Sequence, residues 1–325
     1  MTDTTSYHGQ PVIKEPIWTW EIPTYFFTGG LAGASAGLGL LSGMRGNDVL
    51  ARRAWAASFA GIAVSPVFLI SDLGRPMRFL NMLRMLKVTS PMSVGSWLLS
   101  VSGASTTVAA VNAWTGWFPR PARIARPTAA LFGLPLSTYT AALTANTAVP
   151  VWHESWRLLP AVYGSGAALT AGATAAAITP PEYAAPARRL SIVSALVEVG
   201  IKEVMHHRLG EHGEPYKQGA GARFGHLSRA CNLAGAVLMY RRGGRSRAAA
   251  VAAGVLMCAG ALSARWSTYK AGLQSAAEPK YVVGPQRAKI ERGERRGAAR
   301  RRPGVREVQA DKGSPATAPV PLSAP

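Results

Sequence analysis

Eight apolar runs separated by short polar clusters constrain this chain more than anything else in it. A helix that crosses a bilayer needs about 20 consecutive, mostly apolar residues. Runs close to that length lie at about 25–44, 54–71, 94–114, 128–151, 158–178, 190–205, 227–240 and 248–266. The expected fold class is therefore all-α: a polytopic membrane bundle of about eight transmembrane helices. An interfacial segment over 1–24 precedes the helical domain at 25–270, and a basic tail follows at 271–325. That tail is charged, then rich in Pro, Ala and Ser, and has too little apolar surface to build a core.

The net charge of +20 could suggest a nucleic-acid partner, but its placement argues otherwise. The cations sit in "MRGNDVLARR", "PRPARIARP", "PARR" and "RRGGRSR", between apolar runs. Short basic loops of this kind are what the positive-inside rule places in the cytoplasm. The expected setting is the cell membrane, with lipid as neighbour and no nucleic acid. The N-terminal stretch lacks a basic region followed at once by an apolar core, so it does not read as a signal peptide.

Two cysteines, Cys231 and Cys258, are too few for the common iron–sulfur clusters. No CxxCH occurs, which excludes attached c-type haem. The six histidines lie at or beyond the ends of the apolar runs, unlike a pair of axial haem ligands. "EVMHH" supplies one Glu-x-x-His, Glu203 and His206, where a di-iron bundle uses two. The expectation is a chain that holds no metal, haem or cluster.

Polar residues inside or beside the runs are then the candidates for chemistry, because ionisable groups at membrane depth are costly. The second run ends "LISDLGRPMRFLN", with Asp72 three residues before Arg75 and Arg78 three further on. Gly74 and Pro76 end that helix. Asp72 either pairs with Arg75 to fix a loop or handles protons. The fourth run, "LPLSTYTAALTANTAVPVWHE", puts Tyr139, Asn146 and His153 seven apart, nearly two helical turns, so all three fall on one stripe. Glu198 and Lys202 are four apart and can pair on one helix face. Gly29, Gly33 and Gly37 form a small-residue stripe that lets a neighbouring helix approach. Counting spans puts Glu21, Tyr25, Asp72, Arg75, Arg78 and His153 at one membrane face.

Four stretches, "WEIPTYFFTGGLAGASAG", "LISDLGRPMRFLNMLRMLKVTSPMSVGSWLL", "GLPLSTYTAALTANTAVPVWHE" and "RWSTYKAGLQSAAEPKYVVGPQR", together resemble the NrfD/polysulfide reductase membrane-subunit family. The resemblance implies a subunit that exchanges electrons with menaquinone or another quinone. It also implies docking to a ferredoxin-like iron–sulfur subunit, which connects to a molybdopterin-type catalytic subunit. On this reading Asp72, His153 and Tyr139 are the candidate proton-handling residues. Glu21, Tyr25, Arg75, Arg78, Asn146 and Glu154 are the candidate quinone contacts. Two other classes compete: a secondary or proton-translocating transporter with a path along the Tyr139–His153 stripe, and a purely structural anchor.

Overall fold

The computed structural model describes residues 12–73 and 75–283. Gly74 and the tail beyond 283 lie outside the described residues, as do residues 1–11. The elements are α1 (Glu21–Met44), α2 (Asp48–Ser71), α3 (Phe79–Met82), α4 (Pro91–Thr115), α5 (Pro119–Ala145) and α6 (Pro150–Glu154). They continue with α7 (Leu159–Ile178), α8 (Ala185–Leu209), α9 (Gly219–Arg241) and α10 (Arg247–Ala277). A 3-10 turn over Pro76–Arg78 leads into α3, and a longer one over Gly210–Tyr216 joins α8 to α9.

Eight of these helices are long, and they match the eight apolar runs. α2, α4, α7 and α10 are each long and apolar enough to cross a membrane by themselves. α1 is diluted by Gly and Ser, while α5, α8 and α9 carry charge. The packing also suits lipid. Buried positions are dominated by Ala, Gly and Ser, whereas Phe59, Val64, Leu131, Val193, Leu196 and Val255 are exposed. An apolar exterior around a core of small residues is the pattern of a membrane bundle.

The helices associate as hairpins, α1 with α2, α4 with α5, α7 with α8 and α9 with α10, and the hairpins meet around α1, α7 and α10. Of the three glycines in the α1 stripe, only Gly33 needs to be glycine. A Cβ there would run into the carbonyl of Gly133 on α5. Gly29 and Gly37 have ordinary van der Waals room. The ladder between α1 and α2 is polar as well as close: the Ser58 hydroxyl donates to the Ala32 carbonyl at 2.8 Å, and Thr28 and Ser65 hydroxyls lie 2.9 Å apart.

Two expectations are corrected. The fourth run is not one helix. α5 ends at Ala145, Asn146 caps it, and a separate α6 starts at Pro150. Proline has no N–H to continue the ladder, and it pushes the residue before it out of the helical region. Val149 is accordingly extended, with φ −67° and ψ 119°. His153 therefore lies on a separate helix and shares no stripe with Tyr139, and the continuous polar path proposed for a transporter is interrupted. The cluster "PRPARIARP" is likewise not a loop but the start of α5. Pro119 and Pro121 fit there because first-turn N–H groups have no helical acceptor. Boundaries also move outward. α10 continues to Ala277, α8 runs to Leu209 and α9 starts at Gly219, which places His206, His207 and His226 inside helices.

Candidate functional site

At the end of the bundle where α2 and α5 stop and α1 and α4 begin, a small cavity opens. Its wall includes Tyr25 of α1, Leu69 and Asp72 at the end of α2, Met82 of α3, Met92 and Ser96 of α4, and Tyr139 of α5. The free volume is about 60 Å³, enough for two waters at roughly 30 Å³ each.

Tyr25 and Tyr139 hydrogen-bond hydroxyl to hydroxyl across α1 and α5. Tyr25 is buried and part of the core, and Tyr139 packs against it. The Tyr139 ring fits because Gly95 of α4 has no side chain: a Cβ there would occupy the ring's edge. Three helices thus fix one phenol pair.

Asp72 caps α2 and is half-buried. Its Oδ1 accepts from the Thr19 hydroxyl at 3.1 Å. The same hydroxyl donates to Glu21. One O–H satisfies one carboxylate at a time, so the two acids share a single donor. The expected Asp72–Arg75 ion pair does not form; the ion pairs among the described residues involve other groups. The backbone turns through a 3-10 segment after α2, and both Arg75 and Arg78 face outward, exposed.

Of the nine candidate residues, then, Tyr25, Asp72 and Tyr139 line one cavity, and Glu21 joins them through Thr19. The remaining five stand outside it. Arg75 and Arg78 are solvent-side, and Asn146, His153 and Glu154 are exposed around the α5–α6 break. His153 has a structural task there: its Nδ1 lies 3.2 Å from the Ala145 carbonyl, at the free C-terminal end of α5.

The N-terminal lead carries residues that sequence reasoning assigned only to an interfacial belt. Trp18 stacks on Trp152 of α6, with ring centroids 5.3 Å apart. Its carbonyl accepts from the Tyr269 hydroxyl of α10. Trp152 in turn donates to the Thr268 carbonyl at 2.7 Å and fits against Gly272, where any Cβ would collide with the indole. The signal was the paired spacing of "WTW", but nothing in the sequence tells which tryptophan turns inward.

A second polar group lies in the core. Glu198 of α8, wholly buried, pairs with Lys202 at 3.0 Å, as its four-residue spacing predicted. Asn232 of α9 donates to Glu198 at 3.0 Å, and Lys202 donates to Ser228 at 2.9 Å. Arg265 of α10, also buried, donates to the Tyr163 carbonyl at 2.8 Å and stacks over that ring at 4.1 Å. Nearer the surface, Glu203 is engaged by Arg229. Among the described residues no three His, Cys, Asp or Glu side chains converge as metal ligands.

A family model described as polysulfide reductase, NrfD_2, matches residues 4–277. The chain belongs to that family. A comparison with curated proteins finds no match. Membership makes this an NrfD-type membrane subunit, one that anchors an oxidoreductase complex and works with other redox subunits. The match takes in every helix from α1 to α10, including α7, α8 and α9, which none of the four quoted stretches covers.

Proposed function

We propose that this NrfD-type subunit is the quinone-reactive anchor of a multisubunit oxidoreductase of the cell membrane. It passes electrons between menaquinone, or another quinone, and a ferredoxin-like iron–sulfur subunit, with a molybdopterin-type catalytic subunit beyond. The observation that supports this reading is the cavity that brings the Tyr25–Tyr139 pair and Asp72 together at the end of α2.

The donor set suits a quinone. A phenol donates a hydrogen bond to a ring carbonyl, and a carboxylate close by relays protons that accompany a two-electron transfer. The volume of about 60 Å³ does not admit a ring as it stands. Met82 and Met92 form the movable part of the wall, because an unbranched thioether side chain changes shape at little cost. The residues here would orient the headgroup and hold or move its protons; the electrons come and go through the partner subunit.

The test is Asp72→Asn and Tyr139→Phe in the assembled complex. Each keeps the size of the side chain and removes its proton chemistry. Quinone-linked turnover should fall about 100-fold or more for a lost general acid or base, with the complex still assembled. Full turnover in both variants would reject the site. A second reading, proton translocation, is favoured by one observation: the Glu198–Lys202–Arg265 group in the core. Charged residues inside membrane segments mark ion pathways by default.

A further inference from the structure

At the opposite end of the bundle from the phenol pair, a groove of about 960 Å³ runs between α1, α5, α7 and α8. Its floor and walls are apolar: Ala34, Leu38 and Leu41 from α1, Leu134 from α5 and Ala168 from α7. Leu41 and Leu134 are more than half exposed, so the groove is open to the lipid side. Gly37 and Gly164 add no side chains to fill it. Two of its three hydroxyls are spent on their own helix: Ser137 donates to the Leu134 carbonyl and Thr138 to the Pro135 carbonyl, while Ser42 lies near the Arg45 end.

Polarity is confined to one end. Arg45 and Asn47 stand at the mouth, just past the C-terminus of α1. The Asn47 amide is already committed: its nitrogen donates to the Tyr183 carbonyl and its oxygen accepts from the Leu50 N–H. Arg45 is exposed, forms no ion pair among the described residues, and no acidic residue lines the groove. From Arg45 to Ala34 the helix rises by roughly 16 Å, about half of a 30 Å hydrocarbon core. Along α1 the groove is therefore about one leaflet deep, lined there mainly by apolar residues, and cationic at the level of the headgroups.

We infer that this groove binds an anionic phospholipid, its phosphate on Arg45 and an acyl chain along Leu41, Leu38 and Ala34. The length fits a chain that starts at the interface and stops at the midplane. The uncompensated cation selects an anionic headgroup over a zwitterionic one. This also gives Gly37 a role that close packing does not: α1 and α5 touch backbone to backbone at Gly33–Gly133, and one turn later the missing side chain leaves room for lipid. The inference does not depend on the quinone reading.

The experiment uses the full chain, purified in mild detergent and offered equal amounts of phosphatidylglycerol and phosphatidylcholine with identical acyl chains. Native mass spectrometry counts the lipid retained. Phosphatidylglycerol should be favoured about fivefold, the weight of one arginine contact with an anionic headgroup. Arg45→Gln should abolish that preference. Gly37→Leu and Ala34→Leu, which fill the floor and the deep end, should lower retention of both lipids. A Cβ at Gly37 meets only a Leu134 methyl at 3.7 Å, and Ala34→Leu serves if Gly37→Leu misfolds. Equal retention of the two lipids, a preference that survives Arg45→Gln, or retention untouched by both filling variants overturns the inference.

Discussion

Gly95 shows how much a single hydrogen in place of a side chain decides here. Its absent Cβ is the space taken by the Tyr139 ring, which then reaches Tyr25. Gly95→Val should push the ring aside, at a cost of about 1 to 3 kcal/mol for overpacking. Thermal unfolding in detergent measures the loss, and quinone-linked turnover should drop with it although no ionisable group is touched. Asp72 was legible in sequence because it ends an apolar run. The Tyr25–Tyr139 pair was not. A sequence gives the height of each residue along its own helix but not which neighbour it faces. The ion pair expected between Asp72 and Arg75 is absent for a local reason: Asp72 is the capping residue at the very end of α2, so Arg75 lies beyond that helix and stands exposed while Asp72 accepts from Thr19.

At the level of elements, the eight long helices follow directly from the apolar runs, while the break between α5 and α6 does not. Pro150 was in plain view, but an apolar run across it outweighed the restriction it puts on Val149. The break takes His153 off the stripe that the seven-residue spacing from Tyr139 predicts. α8 and α9 are joined where sequence suggested only a pair, Glu198 with Lys202, because Asn232 comes from a distant segment. Glu198→Ala removes the buried acid that pairs with Lys202 and should destabilise the bundle by about 3 to 5 kcal/mol. Glu198→Gln, which can still accept from Asn232, should lose less; chemical unfolding in detergent compares them. Outside the membrane, the segment after α10 is tied to the turn after α8. Glu214 accepts from Tyr281 at 3.0 Å and pairs with Lys280 at 3.0 Å. The hydrogen bond from Lys280, followed by that from Tyr281, holds the Glu214 carboxyl below its usual value. A depressed carboxylate contributes above its unfolded pKa and loses that contribution as pH falls through the folded one. The tie should thus hold at neutral pH and release in acid, and limited proteolysis after Ala277 should accelerate there. Glu214→Gln should cleave at the acid rate already at neutral pH.

For the molecule as a whole, the loops between α1 and α2 and between α9 and α10 are short and basic, and so are the N-terminal turns of α5 and α8. The positive-inside rule favours that end for the cytoplasm, against the opposing pull of Arg75, Arg78, Arg84 and Lys87 at the Tyr25–Tyr139 end. Arg123→Cys in intact cells should then be protected from an impermeant thiol reagent, and labelling from outside would reverse the orientation. The isolated subunit should carry no stoichiometric iron after its partner is stripped, as metal analysis would establish.

Trp18 gives this architecture a timetable. It precedes the first helix, yet its ring lies on Trp152 and its carbonyl receives Tyr269, 251 residues later. At roughly 5 to 20 residues per second, a ribosome needs on the order of 12 to 50 s between the two. The ring can settle on Trp152 once α6 is made, but the bond that fastens the Trp18 carbonyl waits for the last helix. A chain stopped before α10 keeps three hairpins and the phenol pair but lacks that final tie, an early intermediate set by nothing more than the order of synthesis.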